Sequence, residues 1–153
     1  MKWLKEKPLS YKIFLVVLVL FFVYYGYSTG KADLNDLPQE VQDSPLFAAF
    51  REEYMYSPKE GLLGDFNGDG QQDLAILYSA GLSWKMVVVV GGGEPPAITE
   101  PVPAYKESPG LAFDPDTGYL TVSGTKDGSV GLEDLYQLVD GQLQLVDSYE
   151  FNL

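Results

Sequence analysis

The spacing of apolar and polar positions divides the chain into one long hydrophobic stretch, one short helical pattern and a series of β-type runs. Lys2, Lys5, Lys7 and Lys12 precede an unbroken apolar run from Ile13 to Tyr25, the pattern of an export signal whose basic end stays inside. Leu9 to Tyr27 is 19 residues long, enough to span if Lys12 snorkels, since about 20 residues cross the hydrocarbon core. Two readings stay open. The aromatic end, Phe21, Phe22, Tyr24, Tyr25 and Tyr27, resembles an interfacial belt and favours an uncleaved anchor. Gly30 and Ala32, placed at −3 and −1, would instead suit a cleaved signal peptide.

Residues 28–43 are polar and helix-poor, which predicts a tether between a membrane segment at 1–27 and a domain at 44–153. Ser44 before Pro45 is an N-cap signal, and Leu46, Phe47, Phe50 and Tyr54 recur at helical spacing, predicting one amphipathic helix over about residues 45–56. Leu74 to Tyr78 and Lys85 to Val90 are β-rich runs bounded by glycine and predict two buried strands. Pro95, Pro96, Pro101 and Pro103 restrict Ala97-Ile98-Thr99 to a short edge strand or loop. Asp114-Pro115-Asp116-Thr117 is a turn cluster between Leu111-Ala112-Phe113 and Gly118 to Val122.

The sharpest structural expectation concerns Asp140-Gly141. As a two-residue type I′ turn it sets Val139 opposite Gln142, Leu138 opposite Leu143, Gln137 opposite Gln144 and Tyr136 opposite Leu145. That register puts the leucines and Tyr136 on one face and the glutamines on the other. Lys126-Asp127-Gly128-Ser129 predicts a second turn of this kind. The fold class expected is mainly β with α+β character, a small antiparallel, hairpin-rich domain. A full propeller needs several blades of roughly 40 to 50 residues and does not fit.

Charge sharpens the picture. Residues 1–32 hold five bases and one acid, which leaves five bases against 21 acids, a formal −16, for residues 33–153. Such a surface repels phosphate backbones and anionic lipid headgroups, so no nucleic acid is expected as a partner, and it raises the local concentration of cations. The chain has no cysteine and no histidine. Disulfides, thiolate sites, histidine-based zinc sites and the Ser-His and Cys-His pairs are all excluded.

The residues that carry chemistry are in Asp65-Phe66-Asn67-Gly68-Asp69-Gly70-Gln71-Gln72-Asp73. Calcium takes six to eight hard oxygen ligands, which a short loop supplies when carboxylates recur at every second residue. Asp65, Asn67 and Asp69 occupy positions 1, 3 and 5, the carbonyl of Gln71 suits position 7, and Asp73 sits at position 9. Three carboxylates this close repel one another, and a dication relieves the repulsion. The competing reading is a metal-free Asx-rich turn. Position 12, where an EF-hand has its bidentate glutamate, is Ile76, so the loop leads into a strand and not into a helix.

From Leu63 to Leu77 the sequence resembles the FG-GAP or VCBS-type repeat, present here in a single copy, whose Asp-x-Asn-x-Asp-Gly-x-x-Asp-Leu loop binds calcium. With the turn at Phe113 to Gly118 and the Tyr136 to Leu145 hairpin, the chain is also similar to small periplasmic FG-GAP-like bacterial proteins, some of which inhibit peptidoglycan hydrolases. The resemblance implies a calcium-binding β domain outside the cytoplasm, with inhibition of a cell-wall hydrolase as one version of its role.

Other residues invite a functional reading without supporting one. Glu133-Asp134 are adjacent acids with nothing to set the separation that glycosidase chemistry requires. Trp84 is either core or an exposed anchor for a partner. Ser79, Ser83, Ser123 and Ser129 have no histidine to activate them. The expected function is therefore a non-enzymatic protein-interaction module. It is held by residues 9–27 in a bacterial inner membrane, with the N-terminus cytoplasmic and the C-terminal domain periplasmic or extracellular. It binds calcium and an envelope or membrane protein of basic character. The alternatives are a secreted form after signal cleavage, an accessory subunit of a larger membrane complex held by its anchor helix, and a carboxylate-based hydrolase.

Overall fold

A computed structural model describes residues 37–105 and 107–153. The anchor or signal segment, residues 1–27, and the tether up to residue 36 lie outside the described residues. Among the described residues no helix is long and apolar enough to cross a membrane.

The described residues open with two helices, α1 (Gln39–Gln42) and α2 (Pro45–Glu53). Ser44 caps α2 as its sequence suggests, its Oγ accepting from Leu46 N at 3.2 Å. The helix is shorter than expected. Tyr54 is extended, and its N–H closes the last turn on Phe50 O at 2.8 Å. Residues 37–43, expected to end a tether, contribute Leu37 and Val41 to the core.

The strands are β1 (Ser57–Gly64), β2 (Asp73–Ala80), β3 (Ser83–Val90), β4 (Ala97–Ile98), β5 (Val102–Ala104), β6 (Glu107–Asp114), β7 (Tyr119–Lys126), β8 (Val130–Val139) and β9 (Gln142–Asn152). They form two antiparallel sheets that do not close: β1-β2-β3-β4, with β5 also on β3, and β6-β7-β8-β9. The proline-rich segment breaks one edge into the short β4 and β5 because proline cannot donate to the ladder. Thr99 compensates: its N–H donates to Val88 O at 2.9 Å, and its Oγ1 accepts from Val88 N at 3.0 Å.

Strand periodicity sorts the core into two layers. Leu74, Ile76, Tyr78, Val87 and Val89 face the helices and pack on Phe47 and Phe50. Ala75, Leu77, Met86 and Val88 face the other way, onto Leu120, Val122, Tyr136 and Leu138 of the second sheet. Burial on both faces explains why β2 and β3 read as continuous apolar runs. Trp84 is half-buried against this second layer, with Lys59 Nζ 5.5 Å from its ring centroid.

The β8–β9 hairpin has the expected register, Val139 opposite Gln142 through Tyr136 opposite Leu145. Asp140 and Gly141 have φ of 51° and 73°, as a type I′ turn requires, and Asp127 and Gly128 repeat the pattern at 53° and 66°. Asp114 organises its own turn, its Oδ1 accepting from Asp116 N and its Oδ2 from Thr117 Oγ1. Glu133 and Asp134, as successive strand residues, point to opposite faces of the sheet and do not flank a common site.

The two sheets are aligned along one edge. The Phe66 and Phe113 rings meet edge to face at 4.8 Å, and Gly110 lies beside Glu60, so β6 runs alongside β1 in the same direction. The Asp65–Asp73 segment, the chain after β3, the β6–β7 turn and the β8–β9 turn therefore share one end of the domain. The β2–β3 hairpin tip and the β7–β8 turn occupy the other.

Burial pushes the Tyr78 hydroxyl up to about 12. Tyr105, whose ring lies over Gly124, is also pushed up to about 12, by burial and then by its hydrogen bond to the Asp134 carboxylate. Both folded values exceed the unfolded tyrosine value of about 10. Their contribution to stability is complete below about pH 10 and is lost as pH rises toward about 12. Urea unfolding followed across that window should show stability falling together with late phenolate absorbance, and Tyr78→Phe should flatten the fall. A flat pH profile in the unsubstituted chain would contradict this.

Candidate metal centre

The Asp65–Asp73 loop joins β1 to β2 and ends on the first residue of β2, so a loop-then-strand arrangement replaces the helix of an EF-hand. Its curl is made by glycine at two positions, Gly68 with φ 75° and Gly70 with φ 81°, a region costly for side-chain-bearing residues. The oxygens of its side chains collect backbone N–H groups. Asp65 Oδ1 accepts from Gly68 N at 2.8 Å and Asp69 N at 3.1 Å, and its Oδ2 accepts from Gly70 N at 2.9 Å. Asn67 Oδ1 accepts from Asp69 N at 2.9 Å, and Asp69 Oδ1 accepts from Gln71 N at 2.7 Å. Asn67 Nδ2 donates to Asp69 Oδ2 at 2.9 Å.

Asp73 is different in kind. Its side chain is fully buried, and its Oδ2 accepts from Phe66 N at 3.0 Å while Oδ1 accepts from Gly91 N at 2.9 Å. One carboxylate thus ties the start of the loop, the start of β2 and the end of β3. Burial pushes this carboxyl up, the Gly91 and Phe66 N–H groups draw it back, and the neighbouring charges of Asp69 and Asp65 add to the rise.

Two supporting residues carry no signal in the motif itself. Gly91 is in contact with the loop, where a methyl group on its Cα would overlap the Gln72 carbonyl oxygen. Phe66, at loop position 2, is buried and anchors the loop to Phe113 of the second sheet. The Gly91-Gly92-Gly93 run marks the end of β3 in the sequence, but nothing local shows that its first member meets residue 72.

The five expected ligand positions are thus held in one loop, but not equivalently. Asp65, Asn67, Asp69 and Gln71 are exposed, whereas Asp73 faces inward. Among the described residues no three carboxylates converge on one point at metal-holding distance. The donor chemistry nevertheless fits a hard cation, because every candidate atom is an oxygen and the carboxylate oxygens other than Asp65 Oδ1, which accepts two N–H bonds, each accept a single hydrogen bond and retain a lone pair. Asp65, Asn67, Asp69 and the Gln71 carbonyl, with Asp73 behind them, would hold calcium, which would supply charge neutralisation and a fixed loop conformation. A shallow concavity of about 250 Å³ lies beside Gly64, Asp65, Gly70 and Gln71. A larger one of about 430 Å³ lies away from the loop, between the end of α2 and the Pro95 to Glu100 segment, with Glu52, Glu53 and Glu100 on its wall.

No family model, curated protein or solved structure matches the chain.

Proposed function

We propose that the protein is a non-enzymatic, membrane-tethered extracytoplasmic module that binds calcium through the Asp65–Asp73 loop and engages another envelope protein. The observation that carries this reading is the loop: oxygen donors at positions 1, 3, 5 and 9, braced at one end of a sheet by a buried carboxylate. Its resemblance to the FG-GAP-type loop points the same way. Calcium here has the role of a cross-link. It offsets the mutual repulsion of Asp65, Asp69 and Asp73 and stiffens the connection into β2.

The interaction half of the proposal rests on β9. Among the described residues this 11-residue strand pairs with β8 alone, and Leu145, Val146, Tyr149 and Phe151 on it are exposed. An unpaired edge with open N–H and C=O groups is a template for a strand from a partner. Asp147 and Glu150 on the same strand, and the absence of any base there, suit a basic partner.

A thermal melt tests the calcium half. For a dissociation constant near 10 μM, calcium at one hundred times that concentration stabilises by about 2.7 kcal/mol, which should raise the melting temperature of the full chain by roughly 10 °C. Asp69→Ala, which removes one exposed donor and leaves the Asp73 brace in place, should abolish most of the rise. An equal rise in both proteins would place the cation elsewhere.

A further inference from the structure

The chain has three asparagines, Asn35, Asn67 and Asn152, and only Asn67 is followed by glycine. In such a pair the Gly68 nitrogen and the carbonyl carbon, Cα, Cβ and Cγ of Asn67 are the atoms of a five-membered ring, which closes when the nitrogen attacks Cγ. The chain itself holds the reacting atoms together. Three obstacles keep the reaction slow in an ordinary peptide. A peptide N–H is a poor nucleophile until its proton leaves, charge developing on the side-chain oxygen needs a donor, and ammonia needs a proton to depart.

The folded loop places a group at each of these points. Gly68 N–H donates to Asp65 Oδ1 at 2.8 Å, so a carboxylate stands on the proton that must leave. Asp69 N–H donates at 2.9 Å to Asn67 Oδ1, the oxygen on which charge develops. Asn67 Nδ2 donates to Asp69 Oδ2 at 2.9 Å, so a second carboxylate touches the nitrogen that leaves. Only this orientation of the amide satisfies both contacts, because a peptide N–H needs an oxygen opposite it and a carboxylate needs a donor. Asn67, Gly68 and Asp69 are exposed to water, and no atom beyond the chain neighbours of Gly68 stands within 4 Å of where its side chain would begin. The nitrogen is unshielded, and a planar ring has room.

We infer that Asn67-Gly68 is a self-modifying site, at which the loop's own groups promote conversion of the asparagine into aspartyl and isoaspartyl products. The Gly68 nitrogen bonds to Asn67 Cγ and gives its proton to the Asp65 carboxylate. The Cγ–Nδ2 bond breaks, and the proton reaches the departing ammonia through water and the Asp69 carboxyl, so both acids return to their starting state. Water then opens the cyclic imide at either carbonyl. Opening at Cγ gives aspartate at position 67. Opening at the backbone carbonyl gives isoaspartate, whose main chain runs through the side chain and is one methylene longer. Either product adds a carboxylate to a loop that already holds Asp65, Asp69 and Asp73. The reaction itself needs no metal. On the calcium reading given above, a cation would take the oxygens of Asp65 and Asn67 for itself and slow the step.

The purified full chain is incubated in chelator at neutral pH beside a synthetic peptide of residues 63–72. Position 67 is followed by mass after digestion and by isoaspartate-specific methyl transfer. Product should form several-fold faster in the full chain than in the peptide. Asp65→Asn keeps an oxygen that accepts the Gly68 N–H but is no base. It should bring the full chain down to the rate of the peptide and change nothing in the peptide itself. Conversion in the full chain no faster than in the peptide would overturn the inference, the loop's bonds then being caps that protect Asn67. A full-chain rate that Asp65→Asn leaves unchanged would overturn it as well. Added calcium should slow conversion several-fold. A fast reaction that calcium does not slow contradicts the calcium reading alone and leaves the self-modification standing.

Discussion

Replacing Asp73 by alanine should lower the unfolding free energy of the domain by roughly 3 kcal/mol in the absence of calcium, a large part of the 5 to 15 kcal/mol of a typical domain. The substitution leaves the N–H groups of Phe66 and Gly91 without the acceptor they share, and each buried unsatisfied donor costs about 1 to 3 kcal/mol. Relief from holding a buried charge offsets part of that loss, since burial disfavours the ionised form of this carboxyl. Asp73→Asn keeps one carbonyl acceptor and should lose about half as much. Denaturant titration of the three chains checks the order. A loss under about 1 kcal/mol for the alanine variant would mean that the loop is not braced through this residue.

Gly91→Ala should destabilise by a comparable amount, about 2 to 3 kcal/mol, for a different reason. The added methyl meets the Gln72 carbonyl oxygen, and since the obstacle is backbone, β3 or the loop must move, at the cost typical of overpacking. That movement also lengthens the bond from Gly91 N to Asp73. The two substitutions therefore act on one joint, and their combined effect should fall short of the sum by 1 kcal/mol or more. Strict additivity, measured by the same titrations, would show that the two residues act separately.

The β8–β9 hairpin was legible because its determinants are local. Asp140-Gly141 sets the turn, the turn sets the register, and alternation then assigns the faces. Only the fate of Leu145 departs from that logic. It is on the face of Tyr136 and Leu138 but is exposed, because β9 lies at the edge and, among the described residues, no further strand covers it. The strand β1 was not legible. Ser57 to Gly61 carries a proline, two charges and a glycine, and it becomes a strand because β2 offers it a partner. Gly61 lets Val41 of α1 approach the sheet, a contact across 20 residues that no local pattern announces.

The candidate site divides along the same line. The spacing of Asp65, Asn67, Asp69 and Asp73 is a property of nine consecutive residues and could be read directly. The bracing of the loop is not, because it depends on Gly91, 18 residues beyond Asp73, and on Phe113 in the second sheet. Asp73 shows the limit most clearly. Its position in the motif makes it a ligand, whereas its place in the fold makes it the residue on which the loop, β2 and β3 converge.

Calorimetric titration of calcium into the chelator-treated full chain, beside Asp69→Ala, addresses the central claim most directly. One site with a dissociation constant of about 10⁻⁶ to 10⁻³ M is expected in the unsubstituted protein and none in the variant. Heat of binding absent from both would contradict it, and the Asp65–Asp73 loop would then be a turn closed by its own backbone hydrogen bonds.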